Sequence, residues 1–378
     1  MNILITGGAG FIGSSLALRL LELGHKVTIV DNLSPQIHTT NPSANSYTFN
    51  LISGKVNFFN CDIADVSVYK SILPEVDVLF HLASETGTGQ SMYSLSSYYS
   101  VNCLGFIALL ETILECNHKI QNLILTSSRS VYGEGKYFCA DHGFRFPSGR
   151  VHASAEAGYD CLCDICGNVV SPSPTDECSV LNPLSIYAST KLSQEHIANA
   201  FTASTGIKST VLRFQNVYGP GQSLFNPYTG ILSIFTSLIK SDSQITIFED
   251  GLESRDFVFI SDVVECLIAC LNKPPSNDFD VYNVGTGIPI SVLEVVKNIS
   301  SFFCKEPDYI IPGIVRSGDI RHNFADMSKF NSFHGFKPTV PFQTGLFDFL
   351  NWAASFAIDN SSSYDESLNV LRTKGLLK

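Results

Sequence analysis

The chain has 378 residues, with 24 Lys and Arg against 35 Asp and Glu, a formal charge of −11. Its 44% apolar and 16% charged residues supply ample core material and exclude a disordered or fibrous chain. At ~100–200 residues per domain the length fits two domains or one large α/β unit, and the acidic balance argues against nucleic acid, whose phosphates require clustered Lys and Arg. A small anionic ligand stays compatible, because backbone amides can hold it.

Met1-Asn2 leads straight into Ile3-Leu4-Ile5-Thr6-Gly7, with no basic n-region, signal-like stretch or cleavage site. No run approaches the ~18 apolar residues needed to span a bilayer. The expectation is a cytoplasmic protein with reduced thiols and no membrane partner. Its eleven cysteines, an odd number, fit no disulfide framework. Cys103 and Cys116 in one apolar helical stretch, and Cys266 and Cys270 in another, read as small buried hydrophobes.

Short apolar runs alternate with helical patterns through the first third of the chain, as parallel βαβ units require. Residues 3–6 read as a buried strand, 11–23 as a helix and 26–30 as a second strand. Residues 56–60 and 76–82 repeat the strand pattern, 99–116 a helix, and 122–127 another strand. The 99–116 helix is apolar on more than one face, so it needs cover from the sheet and from a partner subunit. Residues 134–182, rich in Gly, Pro, Ser and Cys, break the rhythm and read as an inserted module. A helix starting near Ser185 carries Tyr187 and Lys191, and 209–214 returns to a strand. Past Gly219 the pattern is irregular, as in a smaller cap domain, and the polar tail after Ile358 is expected to fray or lie on the surface.

In Thr6-Gly7-Gly8-Ala9-Gly10-Phe11-Ile12-Gly13 the glycines at 7, 10 and 13 follow a strand and open a helix, the context a dinucleotide fingerprint requires. Gly7 allows the tight turn, Gly10 lets backbone approach a pyrophosphate, and Gly13 lets helix and strand lie close. The helix N-terminus adds amide donors and a partial positive charge. Asp31 ends the second strand; a carboxylate there accepts hydrogen bonds from a ribose and repels a 2′-phosphate. No Arg or Lys follows in Asn32-Leu33-Ser34, which favours NAD over NADP. Asp62, after the third strand, suits either the adenine edge or a turn.

Tyr187-Ala188-Ser189-Thr190-Lys191 sets a phenol and an ammonium at i and i+4 on one helix face. A phenol of pKa ~10 is a poor base near neutrality, and a nearby cation lowers it toward the working range. Ser128, after the 122–127 strand, can donate to the same substrate oxygen.

These motifs, in order, resemble the extended short-chain dehydrogenase/reductase family, in particular its NAD-dependent nucleotide-sugar epimerases and dehydratases. The resemblance spans residues 1–355. It runs through Gly7 to Gly13, Asp62-Ile63, His81-Leu82-Ala83-Ser84, Ser127-Ser128-Arg129-Ser130-Val131-Tyr132-Gly133 and Tyr187 to Lys191. It continues through Arg213-Phe214-Gln215-Asn216-Val217-Tyr218-Gly219-Pro220, Arg255-Asp256-Phe257-Val258 and Arg316-Ser317-Gly318-Asp319. It implies an α/β fold: a Rossmann-like doubly wound parallel sheet, a smaller C-terminal substrate-binding domain and a cysteine-bearing insert. The implied division is an NAD-binding domain at 1–215 interrupted by 134–182, a nucleotide-sugar region at 216–356 with segments returning to the first domain, and a tail at 357–378. Cofactor contacts are implied for Gly7, Gly10, Phe11, Ile12, Gly13, Asp31, Asn32, Asp62, Ile63, Leu82, Ala83, Ser84, Asn102, Tyr187 and Lys191. Tyr187 is then the acid/base, Lys191 binds the nicotinamide ribose and tunes it, and Ser128 orients the sugar. Asn216, Arg255 and Arg316 would hold the diphosphate, since a planar guanidinium grips phosphate bidentately.

Dehydratases of this family place an Asp-Glu pair after the catalytic-site strand; here that segment is Arg129-Ser130-Val131. Elimination lacks its acid and base, whereas 4-epimerisation through a 4-keto sugar needs neither. The stretches 83–93 and 219–230, with the cysteine insert, resemble the enzymes that epimerise dTDP-L-rhamnose at C4, which implies that Glu85, Thr86 and Arg129 also face the substrate, a helix cap being an equal reading of Glu85. A UDP- or CDP-sugar 4-epimerase, a 2-epimerase, a dehydratase and a non-catalytic NAD sensor stay open as alternatives. A homodimer through the 102–116 helix and the Tyr187 helix is expected.

Within the insert, Cys139-Ala140-Asp141-His142 and Cys163-Asp164-Ile165-Cys166-Gly167 form two ligand pairs suited to tetrahedral Zn²⁺. Cys161, Cys178 and His152 compete as ligands. A loop of unrelated free thiols is the plain alternative.

Overall fold

Ile3-Leu4-Ile5, Val78-Leu79-Phe80 and Leu123-Ile124-Leu125 are buried throughout, as strands covered by helices on both faces must be. In the computed structural model, which describes residues 1–150, 152–228, 230–356 and 361–377, they belong to a sheet of seven parallel strands. These are β1 (Asn2–Thr6), β2 (Lys26–Asp31), β3 (Asn57–Asn60), β4 (Val78–His81), β5 (Asn122–Ser128), β6 (Lys208–Phe214) and β7 (Phe279–Val284), in the order β7-β6-β5-β4-β1-β2-β3. Side chains alternate between the two faces. Ile3, Ile5, Ile29 and Phe80 share one core with Leu16 and Leu20 of the helix Phe11–Glu22, while Leu4, Leu79, Leu123 and Leu125 share the other with Phe106, Leu109 and Ile113. The chain winds from β1 out to β3 and then crosses to β4 on the far side of β1. A crevice for a ligand opens at the carboxyl ends of the strands beside such a reversal.

The helical run Leu95–Glu115 is long and apolar enough, by length and composition, to cross a membrane, which corrects the expectation that no run qualifies. Half of that apolar window is buried in the fold. A π-helical turn, Ser100–Gly105, interrupts it and carries Asn102; such turns recur at functional sites.

After β6 the chain builds the smaller region. Asn216–Tyr218 pairs with Ser254–Phe259, which also pairs with Pro289–Ser291 and His322–Asn323. β7 returns from this region to the edge of the large sheet beside β6. The insert has its own three-stranded sheet of Tyr137–Cys139, Gly143–Arg145 and Ser171–Pro172.

The tail differs from the expectation of a frayed or surface segment. Ile358 lies outside the described residues, but a helix follows at Ser361–Thr373. Its Tyr364, Leu368 and Leu371 are buried, an i, i+4, i+7 stripe that docks one face of an otherwise polar helix. Beyond it, the Ser317 amide donates to the Leu376 carbonyl at 2.9 Å, tying the terminus to the Arg316 loop.

Candidate active site

A cavity of about 620 Å³ runs along the carboxyl ends of the strands and into the smaller region. Every residue expected from the sequence to touch cofactor or substrate lines it, with Asn102 as the exception.

The cofactor end is a matter of steric fit. Gly7 sits at φ +69°, and a Cβ there would lie 2.7 Å from the Ala83 amide nitrogen. A Cβ on Gly13 would meet the Gly7 carbonyl oxygen at 2.5 Å, so the helix lies against the loop at glycine distance. Asp31 is held by two backbone donors, Ala9 at 3.0 Å and Leu33 at 2.9 Å. Among the described residues the basic group paired with it is the His38 ring, 3.8 Å away, and burial pushes its pKa down. With no Lys or Arg paired to it among the described residues, a carboxylate here suits a free ribose rather than a 2′-phosphate. Asn32 Nδ2 donates to Asp62 at 3.3 Å and Asp62 accepts the Ala64 amide at 3.0 Å, so Asp62 closes its own turn while facing the cavity with Ile63.

Asn102 is fully buried and acts from behind the wall. Its Oδ1 accepts the Glu85 amide at 2.8 Å and the Ser84 hydroxyl at 3.1 Å. Its Nδ2 donates to the Glu85 carbonyl at 3.1 Å and to Thr190 Oγ1 at 2.9 Å. It therefore clamps the loop after β4 to the Tyr187 helix.

Ser128 ends β5, and Ser185 caps the helix Ile186–Thr205 by accepting the Ala188 amide, which brings Tyr187 and Lys191 beside that strand end. Tyr187 and Ser128 line the cavity together. Lys191 Nζ donates to the Thr126 carbonyl at 3.0 Å. Burial raises the Tyr187 pKa, while the Ser128 hydroxyl and the Arg129 charge pull it back. Arg129 thus brings to bear on this phenol a charge that the sequence did not point to. Lys191 itself is pushed down to about 7, burial being the main cause.

At the opposite end, Arg129 Nε donates to Asn216 Oδ1 at 2.9 Å. Burial first, and then the facing Arg255, lower its pKa to about 9. Arg255 donates to the carbonyls of Ser254 and Arg321 at 2.8 and 3.1 Å, and Arg316 pairs with Asp319 at 2.8 Å. Guanidiniums that repel one another across a cavity form a receptor for a polyanion. Glu85 and Thr86 line the wall, and burial raises the Glu85 pKa. The turn Arg129–Tyr132 after β5 carries no carboxylate.

Sequence reasoning missed several wall residues. Phe248 stacks under the Arg316 guanidinium at 5.3 Å, and Tyr364, Leu368 and Leu371 close the far side. Glu253 also lines the wall, with its pKa raised to about 7 by burial. Only the tail stripe left a readable periodic signal. His81 and Glu195 are structural: His81 meets Thr6 and Gln194, and Glu195 pairs with Arg213.

Outside the cavity, Cys139, His142, Cys163 and Cys166 converge, with their ligand atoms all within 4.8 Å of one another. The competitors fall away. Cys161 is buried beside Tyr137, Cys178 is exposed, and His152 meets the Asp160 carbonyl at 3.0 Å.

Comparison with known proteins agrees with this geometry. The profile of the NAD dependent epimerase/dehydratase family matches residues 3–285. The chain is 36% identical to a dTDP-L-rhamnose 4-epimerase of Burkholderia thailandensis over 355 residues, 93% of this chain and 95% of that protein. Among solved structures it resembles UDP-glucuronic acid 4-epimerase from Bacillus cereus in complex with UDP-glucuronic acid and NAD. That match has a TM-score of 0.77 and 25% identity, and covers 94% of this chain and 99% of the other. It also resembles UDP-glucose 4-epimerase from Thermotoga maritima with UDP-glucose, at TM-score 0.74 and 29% identity, with the same coverage.

Proposed function

The chain belongs to the NAD-dependent epimerase/dehydratase family, and from that premise we propose a 4-epimerase of a deoxythymidine-diphosphate sugar, dTDP-L-rhamnose or its C4 epimer. The observation that carries this reading is the Ser128, Tyr187 and Lys191 set midway in one cavity, between a glycine-rich dinucleotide end and an arginine-lined end. The 36% identity to a dTDP-L-rhamnose 4-epimerase supports the choice of substrate.

NAD held by the Gly7–Gly13 loop and Asp31 would supply the acceptor and donor of a hydride at C4. Tyr187 takes the proton of the sugar 4-OH and later gives it back, with the Arg129 charge favouring the phenolate. Ser128 hydrogen-bonds the same oxygen and steadies the 4-keto sugar. Lys191, anchored on Thr126, would hold the nicotinamide ribose. Arg255 and Arg316 hold the diphosphate while the keto sugar turns to present its other face. No carboxylate pair follows Ser128, so C5-proton abstraction and loss of a C6 hydroxyl are unsupported. The same reading carries a cytoplasmic homodimer. Its support is eleven cysteines with no disulfide and the exposed Leu104 and Leu114 on the 95–115 helix; sedimentation should give twice the chain mass.

Incubation with dTDP-, UDP- and CDP-sugars, followed by NMR of the products, tests the assignment. The expected result is the C4 epimer of a dTDP-linked 6-deoxyhexose with no net NADH. Tyr187→Phe should cut turnover by ~10²–10⁴-fold, the usual worth of a general acid–base group, with NAD still bound. Stoichiometric NADH, or a 4-keto-6-deoxy product, would overturn it.

A further inference from the structure

We propose that residues 134–182 form a zinc-stapled module, with one structural Zn²⁺ held by Cys139, His142, Cys163 and Cys166. Two hairpin turns bring the ligands together. In the first, Tyr137–Cys139 pairs antiparallel with Gly143–Arg145, Cys139 opposite Gly143. In the second, Leu162 bridges Val169 and the Cys163 amide donates to the Asn168 carbonyl at 2.8 Å. Each turn ends its ligand pair with a left-handed glycine, Gly143 at φ +70° and Gly167 at φ +75°. The chain thus repeats one pattern, Cys-x-x-His-Gly and Cys-x-x-Cys-Gly, and sets the two copies face to face.

The spacings suit a tetrahedral ion. Cys139 Sγ lies 3.7 Å from Cys166 Sγ, and His142 Nδ1 lies 3.6 Å from Cys139 Sγ and 3.7 Å from Cys163 Sγ. Bonds of ~2.3 Å to sulfur and ~2.0 Å to nitrogen at tetrahedral angles give edges of about 3.8 and 3.6 Å. A disulfide would need ~2.05 Å between sulfurs. Three thiolates and an imidazole favour Zn²⁺ over harder cations, and four protein ligands leave no open position for catalysis. Three thiolates leave the bound site with net negative charge. Arg145, clamped on Asp164 at 2.7 and 2.6 Å, stands as a cation beside Cys163 and Cys139.

The module has little apolar core of its own around the ligands. Its core cluster is Tyr137, Cys139, Cys161, Cys163 and Val170, while Phe144, Ile165 and Val169 stay exposed. A core so small needs a metal or covalent staple. Its order reaches the substrate end of the cavity through Arg150. That side chain pairs with Glu134 at 2.7 Å and Glu249 at 2.9 Å, and donates to the carbonyl of Asp319, the partner of Arg316, at 3.2 Å.

The test uses the full-length protein purified without added metal. Elemental analysis should find about one zinc per chain, and Co²⁺ exchanged into the site should show the intense visible bands of tetrahedral thiolate coordination. Cys163→Ser should lose the zinc, lower Tm and open residues 134–182 to protease while NAD still binds. His142→Cys, which keeps four ligands, should retain zinc, as should Cys178→Ser outside the site. A protein without metal whose insert resists protease, or zinc retained in the Cys163→Ser, Cys166→Ser double variant, would overturn the proposal. These readouts are independent of the sugar substrate, so they stand apart from the epimerase assignment.

Discussion

The two ends of the cavity are built by different means. The dinucleotide end uses Gly7 to Gly13, Asp31 and Asp62, close together in the chain, and works through backbone amides and atoms that are absent. The polyanion end gathers Arg129, Asn216, Glu253, Arg255, Arg316 and the Ser361–Thr373 helix from across the rest of the chain. It works through charged side chains held on neighbouring carbonyls and carboxylates. The first end should be sensitive to volume and the second to charge. Each substitution should therefore damage one ligand's binding and spare the other's.

Gly13→Val carries the largest expected effect. Even a Cβ would stand 2.5 Å from the Gly7 carbonyl, with two further methyls to place. Overpacking of this kind costs about 1–3 kcal/mol and displaces the loop. The expected outcome is lost NAD retention and a lower Tm, checked by cofactor fluorescence and calorimetry. Full NAD retention would break the contrast between the two ends.

Arg255→Ala should come next and act only at the other end. Losing a charge-assisted hydrogen bond costs about 1.5–3 kcal/mol, so KM for the nucleotide sugar should rise ~10–100-fold. NAD affinity should hold, and kcat should change far less than KM. Equal losses in NAD and sugar-nucleotide binding would mean that the ends are not separable.

The smallest effect is a pH dependence. Burial raises Glu253 to about 7, Arg255 opposes the shift, and Glu249 and Asp319 add to it. Below about 7 this side chain is protonated and neutral. Above it, a carboxylate forms in the wall proposed to receive the diphosphate, and like charges repel. KM for the sugar nucleotide should therefore climb a few-fold, in ~RT-sized steps, as pH passes through about 7. Glu253→Gln should flatten that climb, and a KM profile unchanged by the substitution would remove Glu253 from this role.

How much was legible follows the same division. Gly7, Gly10 and Gly13 could be read because strand, turn and helix are consecutive, and Tyr187 with Lys191 because i and i+4 share a helix face. Ser128 was legible as the end of an apolar strand. The reach of Arg129 to Tyr187 was not, since it joins the turn after β5 to the start of the 186–205 helix, and only the packing of that helix on the sheet sets their separation. The contacts of Asn102 to Glu85 and Thr190, which make it a clamp on the loop, were not legible either. The tail was misjudged because its polar residues outnumber Tyr364, Leu368 and Leu371. In the insert, the ligand pairs stood out by spacing, whereas the choice among Cys161, Cys163, Cys178 and His152 depended on which side chains the two hairpins turn toward each other.

By itself, the amino-acid order pointed to the parallel sheet, the glycine-rich loop and the residues Ser128, Tyr187 and Lys191, because each rests on interactions within a turn or two of chain, where spacing is geometry. Only the tertiary structure decided which arginines converge, that the tail closes one end of the cavity, and which four side chains of the insert meet. Those contacts join segments far apart in the chain. Their distances are set by how helices and strands pack, and no local spacing encodes that.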